Sequence, residues 1–175
     1  MPHDGPRAPS GAGEAAIATK QARIVPKGPT LIGWRERARL PQISPDPFTA
    51  KIDSGARSSA LHAVRIRIVE EDGRAFVSFV PDRLGPTQRV PHRLPLHEER
   101  AVTNTSGTPE IRPTVRTRLE MGSRHWTIEL TLTDRSGMTH PLILGRTAVR
   151  SHRLLLDCGR SYLLPLAGDV TGDPT

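Results

Sequence analysis

The sequence predicts a small, mainly β domain. Hydrophobic residues make up 35% of its 175 residues but aromatics only 3%, so the core must be built from Val, Ile and Leu, residues suited to short strands. The 17 prolines and 15 glycines supply many turns. Apolar residues recur with period two rather than 3.6.

Residues 1–28 are rich in Gly, Ala and Pro without apolar periodicity, and read as a disordered tail. One domain is expected over residues 29–166, starting where Leu31, Ile32 and Trp34 appear, with a flexible C-terminus over 167–175. Phe48, Ala50 and Ile52 alternate and run into Asp53. Val64, Ile66 and Ile68 alternate with arginines, Glu71 to Arg74 turns the chain, and Ala75 to Val80 returns as a hairpin. Val115, Thr117, Leu119 and Met121 form a second hairpin with Trp126, Ile128, Leu130 and Leu132 around Gly122-Ser123. Asp134 to Gly137 is a turn, Leu142 to Leu144 a short apolar strand, and Thr147 to Arg150 one helical turn. Leu154 to Leu156 and Ser161 to Leu164 are expected as two closing strands. The stretch from Pro81 to Thr103 holds four prolines and no clear period, so a long loop is expected, either a cover over a cleft or an exposed excursion.

The formal net charge is +7 and its cations are nearly all Arg. Such a field attracts polyanions, acidic peptides among them. Nucleic acid is disfavoured as the partner, because one Tyr, two Trp and three Phe offer few stacking surfaces. The single cysteine, Cys158, forms no intrachain disulfide, and a reducing, cytoplasmic setting is expected. No run approaches the roughly 20 apolar residues of a membrane span, and Met1 to Lys20 lacks the apolar segment of a signal peptide.

The chemistry-bearing element is Lys51-Ile52-Asp53-Ser54-Gly55-Ala56, a strand that delivers a carboxylate into a tight turn. Alone, Asp-Ser-Gly also makes an ordinary turn. Downstream stands Leu142-Ile143-Leu144-Gly145-Arg146, followed by the short helical turn. Together the two segments resemble the retropepsin family of aspartic peptidases. The stretch Ala50 to Ala63, with Arg112-Pro113, Trp126 to Thr133, Leu144 to Ala148 and Asp157 to Leu163, is similar to a bacterial group often labelled ATP-dependent zinc proteases. Members of that group accompany ATP-grasp ligases that add glutamates to a ribosomal protein.

The resemblance implies a retropepsin-like closed β-barrel that is one half of a homodimer. It implies Asp53, Ser54 and Gly55 as the catalytic turn, with the apolar-Gly segment crossing behind it and Leu144, Gly145 and Arg146 in support. Ala56, Arg57 and His62 are the expected substrate-binding residues, although His62 equally fits a buried, hydrogen-bonded role. One departure stands out. Viral-type members carry an acid at the position of Arg57 that pairs with the Arg after the apolar-Gly. Asp157 is the candidate replacement partner for Arg146; its other role is to cap the Cys158-Gly159 turn.

The implied function is an aspartic endopeptidase whose two Asp53 carboxylates, one per subunit, share a proton. The substrate is a peptide or protein, with an acidic or glutamate-extended tail as the favoured class, and a functional link to an ATP-grasp ligase is expected. The alternative is a non-catalytic module on the same fold that binds a peptide or the ligase. No cofactor and no metal are expected. The near-match His97-Glu98-Glu99-Arg100-Ala101 puts Ala where the second histidine of a zinc motif belongs. Chelation should therefore leave the fold intact. A stoichiometric zinc in the purified chain, with loss of fold on its removal, would contradict this.

Overall fold

The computed structural model describes residues 28–85, 90–103, 109–137 and 139–166. The tails expected over 1–28 and 167–175 lie, Gly28 apart, outside these residues. Ten strands and one short helix follow in chain order: β1 (Thr30–Gly33), β2 (Arg35–Leu40), β3 (Ser44–Asp53), β4 (Ser59–Glu71), β5 (Arg74–Pro81), β6 (His92–Thr103), β7 (Pro109–Met121), β8 (Arg124–Thr133), β9 (Leu142–Gly145), α1 (Arg146–Ser151) and β10 (Leu154–Asp157).

Eight strands form one sheet in the order β2-β3-β9-β4-β5-β6-β7-β8, and further pairings join β2 to β7 and β4 to β8. These pairings close the sheet into a ring, running β2-β3-β9-β4-β8-β7 and back to β2. The retropepsin-like, mainly β fold read from the sequence is thus the fold observed. β1 and β10 form a separate parallel pair.

The period-two pattern accounts for the interior. Phe48, Ala50 and Ile52 of β3 are buried alternately, and Ile128, Leu130 and Leu132 of β8 are buried, with Thr131 and Thr133 buried on its other face. They meet Leu61 of β4, Leu119 and Met121 of β7, and Leu142 and Leu144 of β9 in one core. Both expected hairpins form, β4 with β5 and β7 with β8. The first departs in detail. Its register shifts between Val64 and Arg67, where Arg65 takes a positive φ of 55°, and Ile68 emerges 42% exposed.

Two expectations are corrected. The segment from Pro81 to Thr103 is not one long loop, since residues 92–103 are strand β6, paired to β5 and β7. Leu94 is its one fully buried residue, and a strand with so few core contacts shows no apolar period. Ser161 to Leu164 is not a strand. It is an extended segment held by a side chain. Glu36, on β2 and fully buried, accepts the N–H groups of Leu163 at 3.0 Å and Leu164 at 3.1 Å, and that of Gly33 as well. The Tyr162 N–H donates to the Arg35 carbonyl at 2.8 Å. The Arg35 guanidinium lies 4.1 Å from the centre of the Trp34 ring and 5.5 Å from that of Tyr162. One carboxylate thus replaces a ladder.

Because Glu36 satisfies three buried donors at once, Glu36→Ala should lower the unfolding free energy by about 3 kcal/mol. A denaturant midpoint shifted at constant slope measures it. A change below about 0.5 kcal/mol would show that the segment is held by other contacts.

Candidate functional site

Asp53 ends β3, and its turn is built by its own side chain. Oδ1 accepts the N–H of Gly55 at 3.0 Å and of Ala56 at 3.2 Å. Behind the turn runs β9, parallel to β3, with Gly145 opposite Asp53. A Cβ on Gly145 would lie 2.5 Å from the Ser58 carbonyl carbon, so only glycine lets the two backbones approach this closely. The contact is bonded on several atoms. Gly145 N–H donates to Ser59 Oγ at 3.1 Å. Arg146 N–H donates to the Ala56 carbonyl at 2.9 Å, and Thr147 N–H to that of Arg57 at 3.2 Å.

The structure brings Asp53, Gly55, Ala56, Arg57, Gly145 and Arg146 together. Ser54 sits exposed on the same turn, and Leu144 is buried beneath it. Arg146 Nη1 donates to the carbonyls of Gly55 at 2.9 Å and Ser54 at 3.4 Å. The brace behind the turn therefore needs no second acid. Asp157 is instead bound to its own turn, its Oδ1 accepting the Gly159 N–H at 2.9 Å. It caps the Cys158-Gly159 turn, as the competing reading had it.

His62 is not brought to the cleft. It is 2% exposed. Its Nδ1 accepts the Arg135 N–H at 3.0 Å, and its Nε2 stands 3.3 Å from Asp82 Oδ2. An Nδ1 that accepts leaves the proton on Nε2, facing Asp82. The side chain fastens the turn after β8 from within.

In front of Asp53 opens a cavity of about 1340 Å³. Its wall is the polar face of β6, β7 and β8, which contributes Glu98, Arg100, Arg112, Glu129, Thr131 and Thr133. Arg100 and Arg112 stand directly opposite each other across β6 and β7, an unfavourable like-charge pair. Each is matched by an acid two residues earlier on its own strand. Arg100 Nε donates to Glu98, and Arg112 Nε and Nη2 reach Glu110 Oε2 at 2.8 and 2.7 Å. Arg100 Nη2 also binds Glu129 Oε2 at 2.7 Å, and Arg116 Nη2 binds Glu129 Oε1 at 3.0 Å. Hydrogen bonds from Arg100 and then Arg116 hold the Glu129 carboxyl down at about 2. Burial opposes the charge of Arg100, but Glu129 and Glu98 outweigh it and raise its pKa.

Sequence reading missed Arg100, Arg112, Glu129 and Arg135 as site residues. In sequence Arg112-Pro113 stands out only through its resemblance, and Asp134-Arg135 has the pattern of a plain turn. Arg65, on β4, does not line the cavity. Among the described residues no three His, Cys, Asp or Glu side chains stand together as a metal site. Among them, too, no helix is long and apolar enough to cross a membrane.

A ring of strands with an Asp-Ser-Gly turn braced by an apolar-Gly strand defines a retropepsin-like domain. The chain belongs to the RimB-like family, whose model, described as retropepsin-like aspartic endopeptidase RimB, matches residues 31–165. The chain is also 36% identical over 129 residues to a protein of Desulfotalea psychrophila named "Probable alpha-L-glutamate ligase", covering 73% of this chain and 28% of that protein. A protein of the same name from Parasynechococcus marenigrum is 37% identical over 145 residues, covering 82% of this chain and 30% of the relative. The chain thus spans less than a third of the length of these relatives. The crystal structure of Lpg0085 from Legionella pneumophila, described as a protein with unknown function (DUF785), superposes with a TM-score of 0.65 at 26% identity, covering 78% of this chain and 98% of that one.

The charged wall generates a pH prediction. Glu129 titrates at about 2 in the fold against an ordinary 4.5. Its contribution to stability is whole above the ordinary value and fades as pH falls toward the folded one. In urea unfolding, the stability gap between the parent chain and Glu129→Gln should therefore narrow through that acid window. A gap that stays constant or widens would contradict the ion-pair account.

Proposed function

We propose that the chain is one subunit of an aspartic endopeptidase, with Asp53 from each of two copies forming the catalytic pair across a two-fold axis. The observation that carries this reading is the Asp53 turn itself, with Oδ1 tied to its own N–H groups, Gly145 packed behind it and the cavity open in front. Each chain supplies one such turn, so a second copy is needed to provide the other carboxylate. At that range the two carboxylates share one proton. The ionised carboxylate takes a proton from water as the water oxygen attacks the scissile carbonyl carbon. The protonated carboxyl donates to the carbonyl oxygen. Collapse of the tetrahedral species then breaks the C–N bond, with a proton delivered to the leaving amine.

The proposed substrate is an acidic peptide, with a glutamate-extended protein tail as the favoured form. Relatives named as glutamate ligases support this, since a ligase and a peptidase acting on one polymer are chemically complementary. They also support a functional link to a ligase of the ATP-grasp type. Arg57, at the cavity rim, is positioned to meet such a chain. A second reading has an observation of its own. In the relatives the matching region is part of a much longer protein named a ligase, which fits a non-catalytic module that binds the peptide or the ligase.

Asp53→Asn separates the two readings. With glutamate-extended and ordinary peptides as substrates, the parent should cut the former in preference. Asp53→Asn should lower turnover by about a thousandfold or more while keeping its circular dichroism. Turnover that survives the substitution would remove the peptidase reading. Binding without turnover by either protein would select the module.

A further inference from the structure

The arginines of the cavity differ in what already occupies them. Arg100 is taken by Glu98 and Glu129, and its Nη1 lies 3.5 Å from Ser58 Oγ. Arg112 is taken by Glu110. Arg146 is spent on the carbonyls of its own turn. Arg57 is exposed. The Arg135 side chain is half-buried and, among the described residues, makes no hydrogen bond and no ion pair. Arg112 and Asp53 are the charges it feels.

We infer that Arg135 is a carboxylate-binding residue of the cavity, which holds an acidic group of the substrate beside Asp53. As a substrate contact it rests on the peptidase reading, though the binding site itself does not require turnover. Three observations carry it. Arg135 lines the same cavity as Asp53 and Arg112, and of the two guanidinium groups it is the one not already held by an acid. Its backbone is fixed before any ligand arrives. The Arg135 N–H is held by buried His62 Nδ1, the neighbouring Ser136 N–H by Asp134 Oδ1 at 3.1 Å, and the Ser136 carbonyl by Arg83 Nη2 at 3.0 Å. A held backbone narrows the region the side chain must search, so less freedom is lost on binding than from a mobile loop.

The third observation is electrostatic. Burial first, and Arg112 second, push the Arg135 guanidinium below the ordinary arginine value, with Asp53 pulling the other way. A cation withdrawn from water beside a like charge gains more from an arriving carboxylate than a hydrated one does. The planar fork can donate to both oxygens of that carboxylate. His62, expected from sequence among the substrate-binding residues, acts one step removed, as the residue that positions Arg135.

The carboxylate has two sources, an acidic side chain or a free chain terminus, and three labelled peptides distinguish them: oligoglutamate, oligoglutamate amide and, as the carboxylate-free control, oligoglutamine with an amidated C-terminus. Binding is read by fluorescence anisotropy in the Asp53→Asn background, so that cleavage does not intervene. Arg135→Gln should weaken oligoglutamate binding by about tenfold or more and leave oligoglutamine unchanged. Arg135→Lys should recover part of the loss, since it keeps the charge but not the fork. Should Arg135→Gln fail to fold, the partial loss expected of Arg135→Lys carries the test. An equal effect on the amide assigns side-chain carboxylates, whereas loss confined to the free acid assigns the terminus. Equal affinity of Arg135→Gln and its parent for oligoglutamate overturns the inference, as does a parent with no preference over oligoglutamine. Arg135-dependent binding in a wild-type chain that never cuts leaves the inference standing and removes the peptidase reading alone.

Discussion

The site depends on one close approach, that of Gly145 to the backbone after Asp53. The space behind the turn holds no Cβ, so β9 lies flush against it. This contact orders both sides. On one side it aligns the Asp53 turn for its own Asx-type hydrogen bonds. On the other it starts α1, whose first N–H groups are taken by the Ala56 and Arg57 carbonyls. Arg146, the first residue of that helix, then folds back onto the turn. A helix of this length is unstable alone. Here its first turn is held by the backbone it supports.

The second constraint is that a cavity lined by charge must still belong to a stable fold. β6, β7 and β8 present Arg100, Arg112, Arg116, Glu98, Glu110 and Glu129 within one sheet region. Isolated surface ion pairs contribute little. A network in which Glu129 receives two guanidinium groups restrains both of them, and the low Glu129 pKa records it. The wall is consequently stiff, and its charges are mostly matched internally. The +7 of the chain therefore does not describe the cavity, where acids and arginines stand in near balance. On the proposed reading, an acidic substrate would be selected there by the uncommitted Arg135 guanidinium rather than by the overall field.

The parts of this structure legible in sequence were those in which one face is buried. Phe48 to Ile52, Leu119 with Met121, and Ile128 to Leu132 alternate because they pack on the core, and each became a strand. The paired signature at Asp53 and Gly145 was legible for a different reason. A close backbone approach demands glycine at one position, and that demand leaves a mark in sequence. β6 escaped because it buries little, and its second half, Glu98 to Thr103, lines the cavity instead of the core. Glu36 and the segment it binds escaped because a side chain replaced a ladder, which leaves no periodicity. His62 and Arg135 sit far apart in the chain and meet only because β4 and β8 pair in parallel, with His62 opposite Thr133.

Ring closure also limits how a peptide can be read. Every strand of the main sheet has at least two ladder partners, so no complete edge strand is offered for an extended peptide to join. Backbone hydrogen bonding along an added strand would bind many sequences alike. With that route restricted, discrimination passes to side chains on the cavity wall. Most of those are satisfied by one another, and a satisfied ion pair must be broken before it can bind anything else. A group whose backbone is held, that is partly withdrawn from water and that is not yet paired carries no such penalty. Among the charged groups of the wall described above, Arg135 meets those three conditions, and its place in the cavity with Asp53 would set any carboxylate it holds near the carbonyl that water, activated by the proposed Asp53 pair, would attack.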